Sequence, residues 1–138
     1  FSGEGARRYG GRWNSKGQKA VYTADSLALA TIEIMVHAIV YSDLNSYVYF
    51  KIQFPEKIVQ TVPPSSLPRN WRSDPAPDIC KKFADRWLAS QTTPVLKIPT
   101  VVLPVGFNFI INPEHTDFDQ IKIDHSKPLT IDRRITHR

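Results

Sequence analysis

The spacing of hydrophobic positions changes several times along the chain, and each change marks an element. From 1 to 17, FSGEGARRYGGRWNSKG has neither a helical nor a strand period and reads as loop, with a short extended piece around Arg12 to Asn14. Lys19 to Thr23 (KAVYT) reads as a short strand. Leu27, Leu29, Ile32, Ile34, Met35, Val36, Ile39 and Val40 then predict a helix over about Ser26 to Val40, with Asp25 or Thr23 as N-cap. Apolar residues cover most of its circumference, so it is expected to be packed on most sides. At about 100° per residue, Ser26, Ala30, Glu33 and His37 form one narrow stripe facing a cleft or water.

Tyr47 to Phe54 (YVYFKIQF) alternates strongly and is the best strand pattern in the chain, with Lys57 to Val62 as its expected neighbour. Residues 63–78 hold five prolines and little periodicity, as an irregular loop does. Asp78 to Ala89 spaces Ile79, Phe83, Trp87 and Leu88 as a second amphipathic helix. Short strands are expected at Val95 to Ile98, Thr100 to Leu103 and Asn108 to Ile111, and weaker ones near Ile121 to Ile123 and Leu129 to Ile131. Strands and two helices without regular βαβ alternation predict an α+β fold. At 138 residues the chain has room for one domain and one sizeable core.

Composition sharpens this outline. Apolar residues make up 41% and charged residues 22%, a globular balance that excludes a disordered chain. Five of the six glycines fall within the first 17 positions, and all eleven prolines come at or after Pro55. A single cysteine, Cys80, removes disulfide scaffolds and all-cysteine zinc sites. The longest apolar stretch, Leu27 to Tyr41, is interrupted by Thr31, Glu33 and His37 and falls short of the roughly 18 residues of a membrane span. The expectation is a soluble, cytoplasmic domain over 1–138. Because the chain starts at Phe1 without Met, its N-terminal segment is expected to be incomplete.

Several chemistries find no motif. Gly3-Glu4-Gly5 lacks a glycine at position 8 and no Gly-Lys-Ser/Thr follows, so neither a dinucleotide fingerprint nor a P-loop is present. His37, His115, His125 and His137 are scattered without ligand spacing, so no metal is expected. There is no Gly-x-Ser-x-Gly elbow, and Cys80 sits among core residues of its helix. The net charge of +5, with Arg7, Arg8, Arg12, Lys16 and Lys19 around the glycines and Tyr9 and Trp13 among them, keeps open a basic nucleic-acid-binding module or an RNA-cleaving toxin. Arg12, Tyr22 and Glu33 come from the Gly-rich segment, a strand end and a helix, positions that can converge at one cleft. Each also has a bland reading: surface charge, core aromatic and exposed helix stripe.

In order and spacing, GEGARRYGGRWNSKGQKAVYTADSLALATIEIMVHA at the front and KIPTVVLPVGFNFIINPEHTDF near the end resemble the RES domain family, the toxin half of bacterial Xre–RES toxin–antitoxin pairs. RWL at Arg86 to Leu88 and the terminal IDRRI extend the resemblance over most of the chain. It implies a fold similar to that of ADP-ribosyltransferases, with twisted mixed and antiparallel sheets and flanking helices, and activity on NAD. By motif, Arg12 of GGRWN, Tyr22 of VYTA and Glu33 of the helix match the family's active-site positions. Its serine falls on Thr100 of IPTVV, a departure that keeps the hydroxyl but adds a β-methyl.

The resemblance implies that Glu33 stabilises the positive charge that develops on the ribose as nicotinamide leaves. Arg12 would hold the pyrophosphate, Tyr22 would face the nicotinamide ring, and Thr100 and Asn112 would also contact NAD. NAD is then substrate, with no further cofactor, and the acceptor is water, inorganic phosphate or a protein side chain. The implied partner is an Xre-type antitoxin, through which alone the toxin would meet DNA. The basic charge then fits a pyrophosphate and an acidic antitoxin surface, and the glycines fit close backbone approach to the dinucleotide.

Overall fold

In chain order the elements are α1 (Glu4–Tyr9), β1 (Val21–Ala24), α2 (Leu27–His37), β2 (Val48–Tyr49), β3 (Ile52–Gln53), β4 (Val59–Thr61), α3 (Asp78–Ser90), β5 (Val95–Pro99), β6 (Phe107–Ile111), β7 (Lys122–Ile123), β8 (Lys127–Pro128) and α4 (Arg133–Thr136). They come from a computed structural model that describes residues 1–37 and 41–137. Four strands form the main sheet in the order β1-β6-β5-β4. β6 runs antiparallel to both β1 and β5, whereas β4 runs parallel to β5. Two short antiparallel ribbons, β2 with β8 and β3 with β7, complete the strand pairing.

Alternation along β5 and β6 divides the core into two layers. Leu96, Ile98 and Ile110 point to one side, where they meet Trp13, Ala20, Val62 and the α3 residues Cys80, Ala84, Trp87 and Leu88. Val95 and Ile111 point to the other side, against Ile58 and Ile121. The five sheet residues are at most 1% exposed, each contributing roughly 1.5–3 kcal/mol by burial. Two layers about one four-stranded sheet make this a mixed α+β domain, as the sequence pattern predicts.

Several elements depart from that pattern for local reasons. The front segment is not all loop: Glu4 pairs with Arg7 and Arg8, one turn on, and α1 forms. Gly10, at φ 70°, ends it with its N–H on the Ala6 carbonyl. In α2 the cap is Ser26, whose Oγ accepts from Leu29 N at 3.1 Å. Asp25 and Thr23 are otherwise engaged, with Phe107 N and the Phe109 carbonyl. Residues 38–40, the end of the expected helix, lie outside the described residues. Within α2 only Leu29 is buried, while Leu27 and Val36 are exposed, so the helix is covered along one line beside β1 rather than on most sides.

The alternating run Tyr47 to Phe54 is split at Phe50-Lys51 into β2 and β3, each with its own partner. Its expected neighbour, Lys57 to Val62, instead begins with a 3-10 turn at Glu56–Ile58 and continues as β4 beside β5. Thr100 to Leu103 is no strand, because Pro99 ends the ladder and the chain bends back until Thr100 N meets the Gly106 carbonyl at 2.9 Å. Near the C-terminus, pairing falls on Lys127–Pro128 rather than Leu129 to Ile131, and Asp132 caps α4. In α3 the buried stripe is Cys80, Ala84, Trp87 and Leu88, and Ile79 is exposed. Small residues bring this helix close to the sheet, while Phe83 lies edge-on to Trp13 at 6.1 Å.

Candidate active site

Thr100, Asn108 and Glu33 meet at one end of the main sheet. Asn108 faces inward at the start of β6, opposite Ile98 of β5 and Ala24 of β1. Thr100 follows β5 on the same side and is 1% exposed. Glu33, from the polar stripe of α2, reaches down to both. Its Oε1 accepts from Thr100 Oγ1 at 2.7 Å and from Asn108 Nδ2 at 2.7 Å. Among the described residues no hydrogen bond is made to Oε2. The Thr100 hydroxyl in turn accepts from Val102 N at 3.2 Å, which fixes its rotor so that its proton is directed to Glu33. The β-methyl of Thr100 is turned toward Gly106, where an added Cβ would lie 3.4 Å away.

A second cluster is built around Tyr22. Two residues before Ala24, it lies on the same sheet face, about 7 Å along the strand from the Asn108 row. Its hydroxyl donates to Asn14 Oδ1 at 2.6 Å and accepts from Trp13 N at 3.1 Å. Asn14, fully buried, donates to the carbonyls of Ala6, Ser15 and Gln18. The tyrosine thereby ties down the turn Gly11–Asn14 that carries Arg12. Gly11 has no alternative here, because a Cβ would stand 2.6 Å from the tyrosine hydroxyl. Close approach to Tyr22 therefore accounts for this glycine. Burial pushes the Tyr22 hydroxyl well above its ordinary pKa, and nearby Asp85 adds to this, while the Trp13 N–H and Arg12 oppose it. Tyr22 as a whole is 41% exposed although its hydroxyl is hydrogen-bonded within the fold.

Arg12 points into the chain rather than away from it. Its Nη1 donates to the carbonyls of Trp71 at 2.9 Å and Ser73 at 2.7 Å. The Pro-rich loop thus holds the guanidinium, whose positive charge is felt at the Tyr22 hydroxyl. Arg72 stands 4.4 Å over the Trp71 ring and reaches the Val101 carbonyl next to Thr100. Other front-end cations are partly neutralised: Arg7 and Arg8 by Glu4, and Lys19 by Glu114 at 3.0 Å.

Of the residues singled out from sequence, the structure joins Glu33 with Thr100 and Arg12 with Tyr22 on one face. It does not bring Asn112 to them. That residue follows β6, roughly 13 Å along the chain from Asn108, and its Oδ1 accepts from Glu114 N at 3.0 Å to close a turn. The asparagine that does meet Glu33, and that sequence reasoning missed, is Asn108. Its signal was a polar residue at an inward strand position, in phase with Ile110. Burial pushes the Cys80 thiol up, as befits a packing residue. Among the described residues no cluster of three His, Cys, Asp or Glu is placed to hold a metal ion, and no helix is long and apolar enough to cross a membrane. A groove of about 440 Å³ under α1 shares Tyr22 with the site but none of the Glu33 cluster.

Fold and site together define a small α+β domain with a clamped carboxylate at one end of its main sheet and an arginine held on the same face. The RES domain model matches residues 1–132, and the chain belongs to that family. Toxin Res of Yersinia enterocolitica is 37% identical over 130 residues, spanning 94% of this chain and 85% of its own. The Prs ADP-ribosylating toxin of a Sphingobium species is 36% identical over 142 residues, spanning 100% of this chain and 88% of its own. A chain of the crystal structure of the M. tuberculosis MbcT–MbcA toxin–antitoxin complex shares the fold, with a TM-score of 0.75 at 23% identity, covering 94% of this chain and 77% of that one.

Proposed function

We propose that the chain is the toxin of a toxin–antitoxin pair and consumes NAD by breaking the nicotinamide–ribose bond. The observation that carries this reading is the Glu33 carboxylate, with Oε1 clamped by two donors and Oε2 accepting no hydrogen bond among the described residues. As the C1′–N bond breaks, its electrons go to nicotinamide, which leaves neutral, and positive charge gathers on the ribose. A fixed carboxylate that binds the ribose hydroxyls stabilises that charge without having to reorganise. No general acid is needed for a leaving group of this kind, which suits a cleft without histidine. Arg12 binds the pyrophosphate, and Tyr22 receives the nicotinamide ring.

Support also comes from the relatives: one is named an ADP-ribosylating toxin, and the solved neighbour is a toxin–antitoxin complex. We assign this chain an Xre-type antitoxin as partner and the cytoplasm as its place of action. Water, inorganic phosphate or a protein side chain then attacks C1′ and accepts the ADP-ribosyl group.

The test is nicotinamide release from NAD by the purified chain, with and without phosphate, for wild type and Glu33→Gln. Glutamine keeps an acceptor for Thr100 and Asn108 but removes the charge, so the rate should fall on the order of 10²–10³-fold. Acceleration by phosphate would identify phosphorolysis, and a labelled adduct on a protein would identify transfer. A wild-type protein that releases no nicotinamide overturns the proposal.

A further inference from the structure

Asn108 occupies a position where a hydrophobic residue would continue the inward row of β6 with Ile110. Its Nδ2 donates 2.7 Å to Glu33 Oε1, while its buried Oδ1 has no hydrogen-bond partner among the described residues. Rotating the amide by half a turn would set Oδ1 against the carboxylate, so the negative charge fixes which end faces Glu33. A buried acceptor left unmet lowers stability. Residues kept against such a cost mark functional sites.

The same geometry shows what the cost secures. Thr100 Oγ1 and Asn108 Nδ2 approach the same carboxylate oxygen from β5's end and β6's beginning. Two donors on one oxygen define both the position and the rotation of the carboxyl group, whereas one donor leaves it free to swing. We propose that Asn108 is a positioning residue, which with Thr100 locks Glu33 so that Oε2 is presented to the substrate. This deepens the NAD-cleaving reading above and rests on it.

The experiment compares Asn108→Ala and Asn108→Asp with wild type in nicotinamide release. For N108A, kcat should fall roughly 10- to 100-fold with KM within about threefold, as misplacing a reacting group by about 1 Å does. Its thermal midpoint should stay within about 3 °C of wild type, because the unmet acceptor is removed together with the donor. A purely structural residue would give the reverse, a large loss of stability with kcat retained. N108D keeps the shape, removes the donor and adds like charge. Its kcat relative to wild type should be lowest near pH 8 and recover toward pH 5, about where a protonated carboxyl again donates to Glu33.

An unchanged kcat in N108A, or a rise in KM alone, overturns the proposal. If wild type itself releases no nicotinamide, the NAD reading falls, and the carbon-13 carboxyl resonance of Glu33 decides the role of Asn108 independently. Positioning requires that resonance to move in N108A, and its staying in place would refute the contact.

Discussion

Replacing Tyr22 with phenylalanine removes one oxygen and separates two roles that the residue combines. The hydroxyl serves Asn14 Oδ1 and Trp13 N, and Asn14 and Trp13 are 0% and 3% exposed. Each buried group left without a partner costs about 1–3 kcal/mol. Water reaching the partly open site offsets part of this, so the net loss should be roughly 2–4 kcal/mol. For a chain of this length, roughly 3 °C per kcal/mol gives a fall of about 6–12 °C in thermal midpoint. Circular dichroism melts measure it directly. The loosened turn carries Arg12, so KM for NAD should also rise although the aromatic ring is intact.

The comparison also has a pH signature. Burial raises the Tyr22 pKa above its ordinary 10.0. Its contribution to stability is therefore complete below pH 10 and is lost as pH rises from there toward the higher folded value. The stability gap between wild type and Tyr22→Phe should narrow above pH 10. A variant that melts within about 2 °C of wild type at neutral pH, with unchanged KM, would refute the tethering role and leave only the ring.

Three further predictions concern the front segment. The Arg7 guanidinium, hydrogen-bonded to Glu4 at 2.9 Å, lowers the Glu4 carboxyl from 4.5 to about 2. This contribution to α1 is present above pH 4.5 and lost as pH falls toward 2. A carboxyl NMR titration should find the low midpoint, and Arg7→Ala should return it toward 4.5. Gly11→Ala sets a methyl against the Tyr22 hydroxyl at 2.6 Å and Asn14 Oδ1 at 2.9 Å. It should destabilise about as much as Tyr22→Phe and raise KM for NAD. By contrast, Gly5→Ala meets nothing within 4 Å inside α1 and should stabilise by about 0.5–1 kcal/mol, as urea melts would show.

The reach of the sequence can be judged residue by residue. Periodicity located α3 and the two central strands, because burial on both sheet faces leaves a strong mark at Val95 to Ile98 and Asn108 to Ile111. It found Trp87 and Leu88 of the buried stripe of α3 but placed the first two positions one residue early, since Cys80 and Ala84 are too small to stand out beside Ile79 and Phe83. It could not split Tyr47 to Phe54 into two strands, because the partners that divide it, Lys122–Ile123 and Lys127–Pro128, lie roughly seventy to eighty residues away.

The same division holds at the site. The resemblance to the RES family pointed to Arg12, Tyr22, Glu33 and Thr100, whereas the residues by themselves left Arg12, Tyr22 and Glu33 open to bland readings. Which of them touch was decided by the fold. Glu33 and Asn108 are 75 residues apart, and Arg12 is 59 residues from the Trp71 carbonyl that holds it. Asn108 and Asn112 are in strand phase and look alike in sequence. Only the bend after Pro99 and the entry of α2 set the first under a carboxylate and leave the second closing a turn. Residue types and local periods are properties of neighbours along the chain, whereas hydrogen-bond partners depend on how distant elements pack.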